Sequence, residues 1–167
     1  YAVEVDAAND DATPQTGSCT TTVSVQQVLR VSEVQGSTTE LESGPADRSP
    51  LAPPTGNGSS ATTYLVQGVI TQKTLARTSA GASQNGFFLQ DTLSRSDNDP
   101  NTSDGVFVFM GGFTSLIGGY VPQVGDEVVI SARVSEFFNM TELSSASLVQ
   151  VVSSMLDVDA VAPAFDA

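Results

Sequence analysis

Five runs rich in Val, Ile, Phe and Tyr, separated by turn residues, predict an all-β fold. They are "TYLVQGVITQK" (63–73), "GFFLQD" (86–91), "GVFVFM" (105–110), "DEVVISARVSEFF" (126–138) and "SSASLVQVVSS" (144–154). No amphipathic helix of ordinary length accompanies them. A glycine inside the first run, Gly68, marks a point where a long strand bulges and bends, and the longest irregular link falls between the third and fourth runs. That pattern predicts a five-stranded Greek-key barrel of the OB type with extended N- and C-terminal tails, with a β-sandwich as the competing architecture.

Taken in order, Tyr1, Val3 and Val5 alternate with Ala2 and Glu4 as in a half-buried strand, one without an obvious neighbour. "DAANDDATPQTGS" then has the composition of a linker. Residues 23–35 carry Val23, Val25, Val28, Leu29, Val31 and Val34, and this β-branched run is expected to be an irregular strand rather than a helix. Residues 36–60, with their prolines and glycines, are expected to form a long surface loop. Asn85-Gly86 is expected to be a tight turn leading into the second run. In the fourth run Val128, Ile130, Ala132 and Val134 share one face, while Glu127, Val129, Ser131, Arg133 and Ser135 share the other. The segment "GGFTSLIGGYVPQVG" has room for at most one helical turn between its glycine pairs. The expected division is residues 1–22 as an N-terminal tail or donor strand, 23–154 as the barrel domain and 155–167 as a C-terminal tail.

Composition narrows the function. Nineteen acidic residues against six basic ones give a net charge of −13. A surface of that sign repels polyanions, so any nucleic-acid contact must be local or metal-assisted. The acid-heavy, lysine-poor balance suits a secreted, extracellular protein, and a chain opening at Tyr1 fits a mature or excised form. No run of about 18 apolar residues exists, so no membrane span is expected. The single cysteine, Cys19, can close no disulfide within the chain; it is a buried thiol, a partner for another chain, or half of a bridge to a segment outside this sequence.

Enzymatic readings fail on inventory, because the chain has no histidine to act as base for its many hydroxyls. Asp91 with Asp104, or Glu136 with Glu142, are conceivable carboxylate pairs for glycosidic acid/base work, but no tryptophan offers a sugar platform. The chain is therefore expected to be non-catalytic. The acidic stretch between the second and third runs admits three readings, a structured turn, a calcium site and a ligand-gripping loop. Asp97, Asp99 and Asn101 form a D-x-D-x-N spacing that could offer oxygens to calcium, with Asp91 and Asp104 as further ligands. Thr102 and Val108 stand where an EF-hand needs glycine and glutamate, and the competing reading has these side chains capping their own turns.

A family resemblance enters on "VSEVQGS" (31–37), "SPL" (49–51), "VQGVIT" (66–71), "NGFFLQD" (85–91), "DNDPNTSDGVFVF" (97–109), "VGDEVVISARVSEF" (124–137) and "TEL" (141–143). In order and spacing, residues 31–152 resemble the OB-fold-like accessory domain of bacterial extracellular nucleases. The resemblance implies a non-catalytic module that helps a secreted protein hold nucleic acid or another ligand. On an OB sheet face, stacking aromatics beside cations would do this, and Phe88, Phe107, Arg77, Arg95 and Arg133 are the candidates. Alternation places one phenylalanine of each pair in the core. A rival reading is self-assembly: Tyr1, Val3 and Val5 could complete the open edge of another copy by strand addition, giving a calcium-stabilised extracellular filament.

Overall fold

The computed structural model describes residues 2–8, 16–22, 26–36, 48–77 and 81–162. Within them the chain is all-β apart from two short helices. The elements are β1 (Ala2–Ala8), β2 (Thr16–Thr22), β3 (Val28–Leu29), α1 (Val31–Gln35), β4 (Gly58–Ser59), β5 (Tyr64–Arg77), β6 (Ser83–Gln90), β7 (Gly105–Gly111), β8 (Glu127–Phe137), β9 (Met140–Ser153) and α2 (Val158–Val161). No helix among the described residues is long and apolar enough to cross a membrane.

One seven-stranded sheet runs β3-β5-β6-β7-β9-β8-β4, and a further pairing joins β5 to β8. The long strand β5 serves both neighbours: Tyr64–Val69 pair with β8, and Val69–Arg77 pair with β6. The pairings β5–β6, β6–β7, β7–β9, β9–β8 and β8–β5 thus return to their starting strand. All are antiparallel except β7–β9, where Phe107 and Val108 run parallel to Glu142 and Leu143. The register shift in β5 falls between Ile70 and Gln72, not at Gly68. Gly68 instead permits a close approach. A Cβ there would come within 2.7 Å of the Gln90 carbonyl oxygen, so its absence lets β5 lie close against the end of β6.

The interior is lined by Val66, Ile70, Phe87, Leu89, Val106, Val108, Val128, Ile130, Ala132, Val134 and Leu143, closed at one side by Val31 and Val34 of α1. The predicted alternation of β8 holds, with Val128, Ile130, Ala132 and Val134 all inward.

Several expectations change. Of residues 23–35, 23–25 lie outside the described residues, Val28–Leu29 pair in parallel with Leu65–Val66, and Val31–Gln35 are helical. A tertiary contact overrides the β-branched propensity. The buried carboxylate of Asp91 accepts the N–H groups of Val31 at 2.9 Å through Oδ1 and of Ser32 at 2.9 Å through Oδ2, and Glu33 accepts the Arg30 N–H at 2.8 Å, so the first helical turn is capped mainly by a remote side chain. Asn85 and Gly86 sit inside β6 rather than in a turn. The N-terminal run has a neighbour after all: β1 pairs with β2, Val3 opposite Thr21 and Val5 opposite Cys19, in a sheet of its own. Threonine-rich Thr16–Thr22, read as linker and flank, supplies the β-branched residues for that partner. In the expected loop, residues 37–47 lie outside the described residues, and β4 pairs Gly58 with Glu136 and Ser59 with Ser135. The C-terminal stretch is docked as far as 162: Leu156 donates to the Gly125 carbonyl and Leu93 to that of Val161, each at about 2.9 Å or less. Tyr1 and residues 163–167 lie outside the described residues.

Candidate functional site

The alternation that fills the interior also builds a groove on the outside of β6, β7 and the β8–β9 hairpin. Phe87, Val106, Val108 and Leu143 point inward, so Phe88, Phe107, Phe109 and Glu142 point outward. Both phenylalanines of β7 therefore leave the core, where alternation with valines fills the interior instead. Phe88 lies opposite Phe107 across the β6–β7 pairing, and Phe107 lies opposite Glu142 across the parallel β7–β9 contact. The rings of Phe88 and Phe107 stand 5.3 Å apart and tilted by 51°, and those of Phe107 and Phe109 stand 6.5 Å apart.

Gly86 makes the floor possible. A Cβ at Gly86 would lie 2.3 Å from Phe107 Cζ and 2.5 Å from the Val108 carbonyl oxygen, so the Phe107 ring occupies the space that any side chain there would take. The second wall is the β8–β9 turn. Phe138 and Asn139 both adopt left-handed backbone, with φ of 49° and 65°, forming a two-residue turn that pairs Phe137 with Met140. Asn57 Oδ1 accepts the Phe138 N–H at 3.0 Å and steadies the turn, and the Phe138 ring meets Phe137 edge-on at 4.7 Å. Together with Thr74 and Gln84, these residues enclose about 420 Å³. A second hollow of about 360 Å³ shares Phe109 and continues along Ser144–Ala146.

One charged side chain enters this apolar space. Glu142 is only 8% exposed, and burial raises its carboxyl above the usual carboxylate range. No lysine or arginine lines the groove. No protein-family model, curated protein or solved structure matches the chain.

The groove gathers two of the predicted ligand-binding residues, Phe88 and Phe107, and leaves the three arginines elsewhere. Arg77 donates to the Gly81 carbonyl at 3.3 Å at the end of the β5–β6 hairpin. Arg95 donates to Leu29 O at 3.1 Å, and Arg133 on β8 donates to Ser60 O at 3.0 Å. Each is committed to a different carbonyl, so they form no common phosphate grip.

The acidic loop is held by its own side chains. Asp97 Oδ1 accepts the Asp99 N–H at 3.0 Å and the Thr102 hydroxyl at 2.9 Å, and Asp99 Oδ1 accepts the backbone and side-chain amides of Asn101. Against a burial cost that pushes it up, these bonds hold the Asp97 carboxyl below its ordinary value. Asp104 Oδ2 takes the Ser96 hydroxyl at 2.9 Å, and Asp91 is turned inward to α1. Among the described residues no group of three or more His, Cys, Asp or Glu side chains is placed to hold a metal ion.

The conceivable carboxylate pairs do not converge as an acid and a base. Glu136 faces away from the groove, its Oε1 accepting the Ser49 N–H at 2.9 Å and the Thr141 hydroxyl at 2.6 Å, while Glu142 faces into it. Asp91 is fully buried with both oxygens used. The residues that carry the family resemblance are largely these internal braces. Asp91 of "FFLQD" caps α1, and Ser49 of "SPL" bonds both Glu136 of "VSEF" and the Val34 carbonyl of "VSEVQ". Gln35 reaches the Gly105 carbonyl of "SDG" at 2.7 Å.

Thr74, Gln84, Phe137 and Met140 were not singled out by sequence reasoning. The only available signal was the doubled aromatic Phe137-Phe138 before Asn139, a residue tolerant of left-handed turns.

Proposed function

We propose that this chain is a non-catalytic ligand-binding module of a secreted protein, built on a five-stranded OB-type barrel, with the Phe88–Phe107–Phe137 groove as its binding face. The circuit β5–β6–β7–β9–β8–β5, with a bent first strand shared by both halves and one parallel contact, supports the OB assignment. In folds of that type, ligands lie on the face of the second and third strands between the flanking hairpin loops, which here are β6, β7 and the β8–β9 turn. The observation that carries the reading is the outward aromatic surface itself. Phe88 and Phe137 are 41% and 46% exposed and line the groove with Phe107 and Phe109, and exposed aromatics concentrated at one concavity mark a binding site.

The accessory-domain resemblance suggests nucleic acid, whose bases could stack on these rings. The groove's lack of cations and its carboxyl weigh toward an uncharged or cationic ligand. Titration of the chain with a short oligothymidylate, followed by amide shifts of Phe107 and Met140, separates the two. Binding that survives moderate salt would establish the nucleic-acid role; no response to the oligonucleotide removes it.

Self-assembly is a second reading, favoured by one observation. The β1–β2 hairpin forms a two-stranded sheet apart from the main one, and such a hairpin is marginal in water without a surface to rest on. Exposed Val149, Val151 and Val152 on β9 offer an apolar surface for one. Deletion of residues 1–22 is expected to abolish any polymers seen by electron microscopy. Polymers that persist after the deletion would end this reading.

A further inference from the structure

Within the proposed binding role, we infer that the groove selects an organic ammonium group carried on an apolar frame, with Glu142 as its counter-ion and the phenylalanine rings as its walls. The starting point is the state of Glu142. Glu142 as a residue is more than nine-tenths buried and lies opposite Phe107, its side chain lines the groove, and its carboxyl makes no hydrogen bond or ion pair among the described residues. Asp91 accepts hydrogen bonds through both oxygens and Glu136 through Oε1, whereas Glu142 accepts none and its carboxyl opens on the groove. A partner for it can reach it through the groove and must donate.

The surroundings define that donor. The aromatic faces of Phe88, Phe107, Phe109 and Phe137 attract cations through their ring quadrupoles. No lysine or arginine competes for the carboxyl or repels an incoming cation, and Thr74 and Gln84 bring no charge. Glu136 on β8 lies outside the groove lining, its Oε1 accepting from Ser49 and Thr141. A net charge of −13 further concentrates cations around the molecule. An anionic ligand would meet the reverse of each condition.

The test uses the full chain, isotopically labelled and titrated by NMR with phenethylammonium and with its neutral isostere 2-phenylethanol at matched ionic strength. Amide shifts at Phe107, Met140 and Glu142 are expected with both, with phenethylammonium bound about ten-fold more tightly. Glu142→Gln is expected to bring the two affinities together while still binding 2-phenylethanol. Equal affinities in the wild type, or a preference that survives Glu142→Gln, would overturn the cation inference and leave the groove as a ligand site. Failure of both probes to shift the groove amides would overturn the binding role as well. Should Glu142→Gln not fold, calorimetry of the wild type at a series of pH values through the carboxylate range, in buffers of different ionisation enthalpy, decides. Proton release with phenethylammonium and none with 2-phenylethanol supports the inference, and equal proton exchange for the two refutes it.

Discussion

Removing the Asp91 carboxylate should unhinge α1 from the main sheet. Asp91 is fully buried and receives two backbone N–H groups, those of Val31 and Ser32, each at 2.9 Å. Asp91→Ala leaves both donors buried and unpaired, at about 1–3 kcal/mol each. Part of that loss is returned, because the carboxyl itself is strained by burial and by its neighbour Asp104, which together raise its pKa despite the bonds from Ser32 and Val31. A net cost of about 3 kcal/mol follows, equivalent to roughly 6–12 °C in Tm for a chain of this size. Asp91→Asn keeps one acceptor and turns the amide against the second N–H, so about half that loss is expected. The assay is urea unfolding of both variants, with hydrogen exchange at Val31 and Ser32 to localise the effect. Asp91→Ala within about 0.5 kcal/mol of wild type, or with protected Val31 and Ser32 amides, would refute the reasoning.

Three further outcomes follow from the geometry. Gly86→Ala places a Cβ within 2.3 Å of Phe107 and 2.5 Å of the Val108 carbonyl, so the chain should lose about 1–3 kcal/mol and the groove its ligands; wild-type binding by the variant would contradict the role given to Gly86. Asp91 and Glu142 both have raised pKa values, so each holds its proton more tightly folded than unfolded. Their contribution to stability is complete below the ordinary carboxylate range and fades as pH climbs through their folded values, whereas the lowered Asp97 loses its contribution only as pH falls further. The urea midpoint should therefore rise as pH is lowered toward the ordinary carboxylate range, and a fall on that approach would count against both assignments. Calcium or a chelator should move Tm by less than about 1 °C, since Asp97 and Asp99 are engaged in the turn; a larger gain with calcium would restore a metal role for the loop.

The all-β class was legible because Val, Ile and Phe alternation is a local signal, and the inward face of β8 reads correctly, although Val129 and Ser135 on its expected wetter face are buried as well. Alternation did not say which phenylalanines leave the core. In β7 it was the smaller valines, Val106 and Val108, that filled the interior, and this depends on how much space the opposing strands leave. Helix α1 was illegible for a sharper reason. Beyond the local Glu33–Arg30 bond, the N–H groups of Val31 and Ser32 are taken by Asp91, 60 and 59 positions away along the chain, so a run that locally favours strand is held helical largely by a remote side chain. Gly86 resembled turn chemistry for the same reason that it fits a strand here: a missing Cβ permits either a left-handed turn or the close approach of another residue's ring. The arginines looked like a set only because sequence gives no positions; three separate carbonyls claim them.

The two sides of the same strands carry different obligations, and this separates what holds the fold from what can meet a ligand. On β8 and β9, Glu136 and Thr141 turn to one side and join Ser49, tying the segment after α1 to the sheet, while Phe137, Met140 and Glu142 turn to the other and form the groove. A strand's period of two places the two sets one residue apart. The carboxylates illustrate the consequence. Asp91, through both oxygens, and Glu136, through Oε1, accept from donors that the chain supplies, and their removal should be felt in stability. Glu142 lines the groove and accepts from none, so on the proposed reading its donor arrives with the ligand, and its replacement should be felt in binding before it is felt in folding.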